Sequence, residues 1–109
     1  MFQINNINWR IKFVNPYHHM LRRPQGDYSV GCCSNDDKTI YLSNQLDGPF
    51  LRKVLAHELS HAALFSYNVI LPLTLEESVA DIIATYGQEI ISLTDFIYDD
   101  IEKDRYQFY

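Results

Sequence analysis

Cysteine is nearly absent from this chain: there are two in 109 residues, adjacent at Cys32 and Cys33. Neighbouring residues of an extended segment point to opposite faces, so a bridge between these two is not expected. Their expected place is the core, as small apolar residues, with a redox or inhibitory thiol as the competing reading. A reducing, cytoplasmic setting is the matching expectation. Positive charge is scarce as well. Nine Lys and Arg against fourteen Asp and Glu leave a net charge of −5. A nucleic-acid groove needs a basic stripe, so no nucleic-acid partner is expected. No apolar run reaches the length of a membrane span, and no membrane partner is expected either. The start, Met1-Phe2-Gln3-Ile4-Asn5-Asn6, lacks the charged, apolar and small-residue segments of a signal peptide.

What is present is apolar. Such residues make up 47 % of the chain, with eight Tyr and six Phe, enough for one folded domain over 1–109. Ile7-Asn8-Trp9-Arg10-Ile11-Lys12-Phe13 alternates without a break, which predicts a strand with Ile7, Trp9, Ile11 and Phe13 inward. Residues 16–27 carry two prolines and Gly26 with no clean period, and read as a loop. His18 and His19 fall here, expected as ordinary turn histidines, with polarisation of a substrate as the minority role. Tyr28–Cys33 and Thr39–Ser43 read as two strands of a hairpin around a polar turn at 34–38. Asp47-Gly48-Pro49 is a helix start, and the helix should run from about Pro49 to Ser66 as a central, well-covered element. Thr74-x-x-Glu77 has the form of a capping box opening another helix, with Val79, Ile82, Ile83, Tyr86 and Ile90 inward. A last helix is expected after Ser92 or Thr94, with Leu93, Phe96, Ile97 and Ile101 inward and an acidic solvated face. The expected class is α+β: a small, mostly antiparallel three-stranded sheet packed on a central helix, plus two further helices.

The chemistry lies in Val54-Leu55-Ala56-His57-Glu58-Leu59-Ser60-His61. Helical residues four apart stack one above the other, so His57 and His61 can aim two imidazoles at one point. A zinc ion, bound to nitrogen at about 2.0–2.1 Å, can take both. Glu58 then stands beside the ion, placed to accept a proton from an attacking water. A catalytic zinc usually has a third protein ligand, and Glu76, Glu77 and Asp81 are the acidic residues that follow. Glu77 and Asp81 share one helix face, which assigns Glu77 to the metal and Asp81 to the far nitrogen of a ligating histidine. Glu76, turned about 100° from Glu77, stays a rival ligand because helix phase is not fixed to one residue.

His57-Glu58-Leu59-Ser60-His61 followed by Glu77-Ser78-Val79-Ala80-Asp81 resembles the gluzincin zinc peptidases. There, a glutamate on a second helix completes the zinc site and an aspartate four residues later supports a histidine. With Gly31 and Ile40-Tyr41-Leu42-Ser43 ahead of the helix, the chain is similar to the ImmA/IrrE peptidases of phages and mobile elements, and to the single-domain minigluzincins. The overlap that carries motifs covers roughly residues 28–91. The resemblance implies a zincin-like fold and a zinc metallopeptidase with Glu58 as general base. Its substrate would be a protein or peptide, such as a phage or mobile-element regulatory protein. The alternative is a non-catalytic zinc-binding adaptor for a repressor-like partner. Three departures stand out. Larger gluzincins have a downstream domain whose histidine or tyrosine steadies the transition state, and none is expected in these 109 residues; a tyrosine hydroxyl, of Tyr28, Tyr67 or Tyr86, is a candidate to assist the oxyanion. Residue 60 is serine where glycine is common. Leu64 and Tyr67 occupy the positions where a metzincin has glycine and histidine, and no histidine follows His61 for a SprT-like site.

Overall fold

The structure, a computed structural model, describes residues 1–107. Its first element is a hairpin that the alternating pattern does not announce. Strand β1 (Phe2–Ile4) pairs antiparallel with β2 (Ile7–Val14) through a two-residue turn at Asn5-Asn6, both in the left-handed region at φ 51° and 63°. Asn is one of the few residues that adopts this conformation cheaply, and two in succession give the turn whose twist suits a hairpin.

Two more strands, β3 (Gly31–Ser34) and β4 (Thr39–Ser43), form the expected hairpin, with β3 beginning at Gly31 and reaching Ser34 rather than running from Tyr28 to Cys33. The sheet order is β1-β2-β4-β3, with β2 and β4 parallel, so the sheet is mixed and four-stranded rather than a mostly antiparallel three-stranded one. The connection from β2 to β4 passes through a 3-10 turn at His19–Leu21 and packs it on one face of the sheet. There Leu21 meets Val14 and Tyr41. Against the other face lies helix α1 (Gly48–Ser66), whose Ala62 packs in one cluster with Trp9, Ile40 and Leu42. Cys32 packs with the first cluster and Cys33 with the second, unbridged and on opposite faces. Strand β4 is paired on both sides and all five of its residues are buried.

The inward face expected for β2 holds only in part. Trp9 is buried and its indole N–H donates to Ser66 Oγ at 2.8 Å, tying the strand to the end of α1. Ile11 and Phe13 are exposed, because α1 does not extend over that end of the strand, and Val14 is buried on the opposite face. Helix α1 stops at Asn68, whose φ of 56° permits paired closing bonds, Asn68 N–H to Phe65 O and Val69 N–H to Leu64 O.

The two C-terminal helices expected from the sequence are one. Helix α2 runs unbroken from Leu73 to Gln107, 35 residues. The hydroxyls of Ser78 and Thr94 donate to the carbonyls four residues back, Thr74 and Ile90, at 3.0 and 2.7 Å. A threonine satisfied within the helix has no need to cap a new one. Nor does Thr74 act as a cap, since Pro72 O already accepts from Glu76 N–H at 2.9 Å. Packing of α2 on α1 centres on Ala80, which is fully buried. Every residue from Gln88 to Ile101 is exposed, including Ile90, Leu93, Phe96, Ile97 and Ile101, which the apolar spacing places inward. No helix among the described residues is long and apolar enough to cross a membrane.

Candidate metal centre

Helix α1 carries His57 and His61 one turn apart, and their Nε2 atoms lie 3.2 Å from each other. The first turns of α2 bring Glu77 over them, with Oε1 at 3.0 Å from His61 Nε2 and Oε2 at 3.3 Å from His57 Nε2. The other ring nitrogens face carboxylates as well. His57 Nδ1 lies 2.9 Å from Asp81 Oδ1, and His61 Nδ1 lies 3.2 Å from Glu76 Oε2. Each Nδ1 is thereby cast as the N–H donor, which leaves both Nε2 lone pairs turned toward the same point as the Glu77 carboxylate. Three acceptors converging without a proton between them repel one another unless a cation lies among them. Protonating both rings instead would set two imidazolium groups 3.2 Å apart.

The spacings fit an ion. Ligand atoms at about 2.0–2.1 Å from a tetrahedral centre stand roughly 3.3 Å apart, and the observed separations run from 3.0 to 3.3 Å. His57, His61 and Glu77 can therefore hold a metal ion.

Glu58 has no part in that set. It is 6 % exposed, and its Oε2 is buried without a hydrogen-bond partner. Burial pushes its carboxyl pKa up, against a downward pull from His61 and His57 and a smaller upward push from Glu77. The position depends on Gly31. A Cβ there would come within 2.9 Å of Val54 Cγ1 and 3.2 Å of Glu58 Cγ, so only glycine lets β3 pass so close to the helix.

All of these residues line one cleft of about 990 Å³ between α1, β3 and the start of α2. Arg22, Arg23 and Lys53 lie along it, three cations that sequence reasoning gave no role. Strand β3 borders the cleft through Gly31, Cys32 and Cys33, and it is the outer strand of the sheet on that side. Ser43 N–H donates to Val30 O at 2.9 Å, so by the alternation of an antiparallel ladder Gly31 and Cys33 turn their backbone groups to the open edge.

Several expected residues lie elsewhere. His18 stacks on His19 and on Tyr41, and its Nδ1 accepts from Met20 N–H at 3.1 Å, a local cap on the 3-10 turn. Tyr28 packs edge-on against Tyr17, Tyr67 ends α1, and Tyr86 is exposed on α2; none of the three lines the cleft. Glu76 backs His61 rather than joining the donor set. The sequence did hold the signal for this, because two ligating imidazoles require two outer acceptors and Asp81 supplies only one.

Outer acceptors of this kind are typically worth about 10–100-fold in metal affinity. Glu76→Ala should fall near the top of that range and Asp81→Ala near the bottom, since the Glu76 side chain is 14 % exposed and that of Asp81 70 %. Competition titration with a chromophoric chelator measures both, and equal losses would undo the ranking.

Comparison with known protein families, with curated proteins and with solved structures finds no match to this chain.

Proposed function

We propose that this chain is a zinc-dependent metallopeptidase of the gluzincin kind, acting on a protein or peptide in extended form. The observation that carries the reading is Glu58: a buried carboxylate oxygen without a partner, beside three donors that converge on one point. A purely structural ion, or an adaptor built around one, has no use for such a group. Structural zinc sites also favour four protein ligands, and the converging set here has three.

In this reading His57, His61 and Glu77 hold the ion. Bound there, zinc would make a water more acidic and polarise the substrate carbonyl. Glu58 takes a proton from the water as its oxygen bonds to the carbonyl carbon. It then hands that proton to the amide nitrogen as the C–N bond breaks, leaving a carboxylic acid and an amine. Its raised pKa suits both halves of this exchange. Asp81 and Glu76 keep the imidazoles in the tautomer that presents Nε2. The outward N–H of Gly31 and the N–H and C=O of Cys33 offer an extended substrate a strand to pair with, while the Gly31 carbonyl accepts from Ser29 Oγ at 2.7 Å. Strand β4 cannot take that part, because it is paired on both sides and has no open edge. A regulatory protein of phage or mobile-element type is the substrate class that the motif resemblance suggests.

The test is direct. Zinc-loaded protein is incubated with a peptide library, and new amino termini are read by mass spectrometry. Cleavage should stop with a chelator and return when zinc is restored. Stoichiometric zinc with no cleavage of any peptide would reject catalysis and leave the adaptor.

A further inference from the structure

Helix α2 carries an apolar seam with no partner among the described residues. Val79, Ile83, Tyr86, Ile90, Leu93 and Ile97 follow one another at alternating steps of four and three, the 3.5-residue period of a coiled coil. Helix α1 packs beside the start of this seam and leaves it open. Ile83, Tyr86, Ile90, Leu93 and Ile97 are between 46 % and 55 % exposed, and Phe96 and Ile82, on its flank, are 73 % and 54 % exposed. These seven side chains present an area on the order of 800 Å², the share of one partner in a standard interface. A lone helix in water does not keep such a face uncovered.

We propose that the face is covered by the same face of a second copy, α2 pairing with α2 in a parallel two-stranded coiled coil. Three features select a second copy over another occupant. The first is the period: a 3.5-residue repeat matches a partner helix with the same repeat, and α2 is the element that has one. The second is the kind of residue in the seam. β-Branched Ile occupies the three core positions 83, 90 and 97, the a-position residue of a parallel pair, and Leu93 supplies the d-position residue of one beside Val79 and Tyr86.

The third is charge. The helix is acidic, yet its carboxylates Asp95, Asp99 and Glu102 lie on the side away from the seam. In a parallel pair the flanking residues meet as Ile82 with Gly87, Glu89 with Thr94 and Phe96 with Ile101, so no two like charges face across it. The zipper ends where Asp100 and Asp104 take the next two core positions and would oppose their own copies. The same acidic residues disfavour an anionic lipid surface as occupant. Glu77 and Asp81 are turned more than 100° from the seam, so pairing leaves the metal cleft open on both copies.

Sedimentation equilibrium of the full chain at micromolar concentration tests this. The wild type should run at twice its chain mass of 12.8 kDa, and the double variant Ile90→Glu/Ile97→Glu at 12.8 kDa. Both substituted positions are solvent-exposed in the single chain, so circular dichroism and zinc stoichiometry should show the α1–α2 body unchanged. A wild type that stays monomeric overturns the proposal. So does a dimer that survives the double substitution, which would place the contact elsewhere. A monomer that takes up detergent micelles through this face, and loses that uptake in the variant, overturns it in favour of lipid. Chelating the metal should leave the mass at two chains, which separates this result from the peptidase reading.

Discussion

Glu58→Gln is expected to keep a full complement of zinc and to lose about 10²–10⁴-fold in kcat, the range that a positioned general base supplies. The substitution preserves shape and removes only the ability to take and return a proton. KM should stay nearly unchanged, because Glu58 lies among neither the converging donors nor the β3 edge that would hold an extended peptide. Stability without metal should not fall. The native carboxylate is buried with one oxygen unpartnered, and burial already disfavours its charged form, so a neutral amide costs the fold no more. Zinc content by elemental analysis, melting temperature of the metal-free protein, and steady-state kinetics on a peptide cleaved by the wild type together read the three quantities. A variant that cleaves within tenfold of the wild type removes Glu58 from the chemistry.

The residues of the site were legible in the sequence because each rests on local spacing. His57 and His61 are four apart on a helix that starts at Gly48 with Pro49 in its first turn and ends at Ser66 as expected, although the Asp47 side chain makes no capping bond. Glu77 and Asp81 share one face of the next helix, and that face turns toward the histidines. Strand β4 falls on the expected residues, Thr39–Ser43, since its flanks are polar turn formers. The failures are of two kinds, local capping signals that the helix overrides and contacts of longer range. Nothing in the alternation of β2 states that β4 will lie beside it in parallel, because a strand's period records its faces and not its neighbours. Hence the alternation places Ile11 and Phe13 inward although both are exposed. Thr94 has the chemistry of a cap and the geometry of a helix interior, and only its bond to Ile90 O decides between them. The apolar stripe from Ile82 onward is correct as a pattern and wrong as burial, Ile82, Ile83 and Tyr86 being exposed along with Ile90 and its successors, since a seam built for another helix looks from sequence like one built for a core.

Removing Glu77 should separate a metal centre from a cluster of ion pairs. With zinc at a thousandfold excess over its dissociation constant, binding to the native state alone adds about 4 kcal/mol of stability. The wild type should show that gain as a higher melting temperature. Glu77→Ala should show little of it, having lost one of three converging donors, while Glu76→Ala keeps a weakened share because its carboxylate supports His61 from behind. The metal-free proteins decide the question. If the carboxylate of Glu77 served as partner to protonated imidazoles, deleting it would remove the counter-charge the two rings share, leaving each with only its outer carboxylate, and lower the melting temperature. If instead it faces two nitrogen lone pairs, its loss relieves repulsion, and metal-free Glu77→Ala should melt no lower than the metal-free wild type near neutral pH. A lower melting temperature for that variant, together with an unchanged response to zinc, would mean that the cluster is an ion-pair network, and no hydrolytic centre could be built on it.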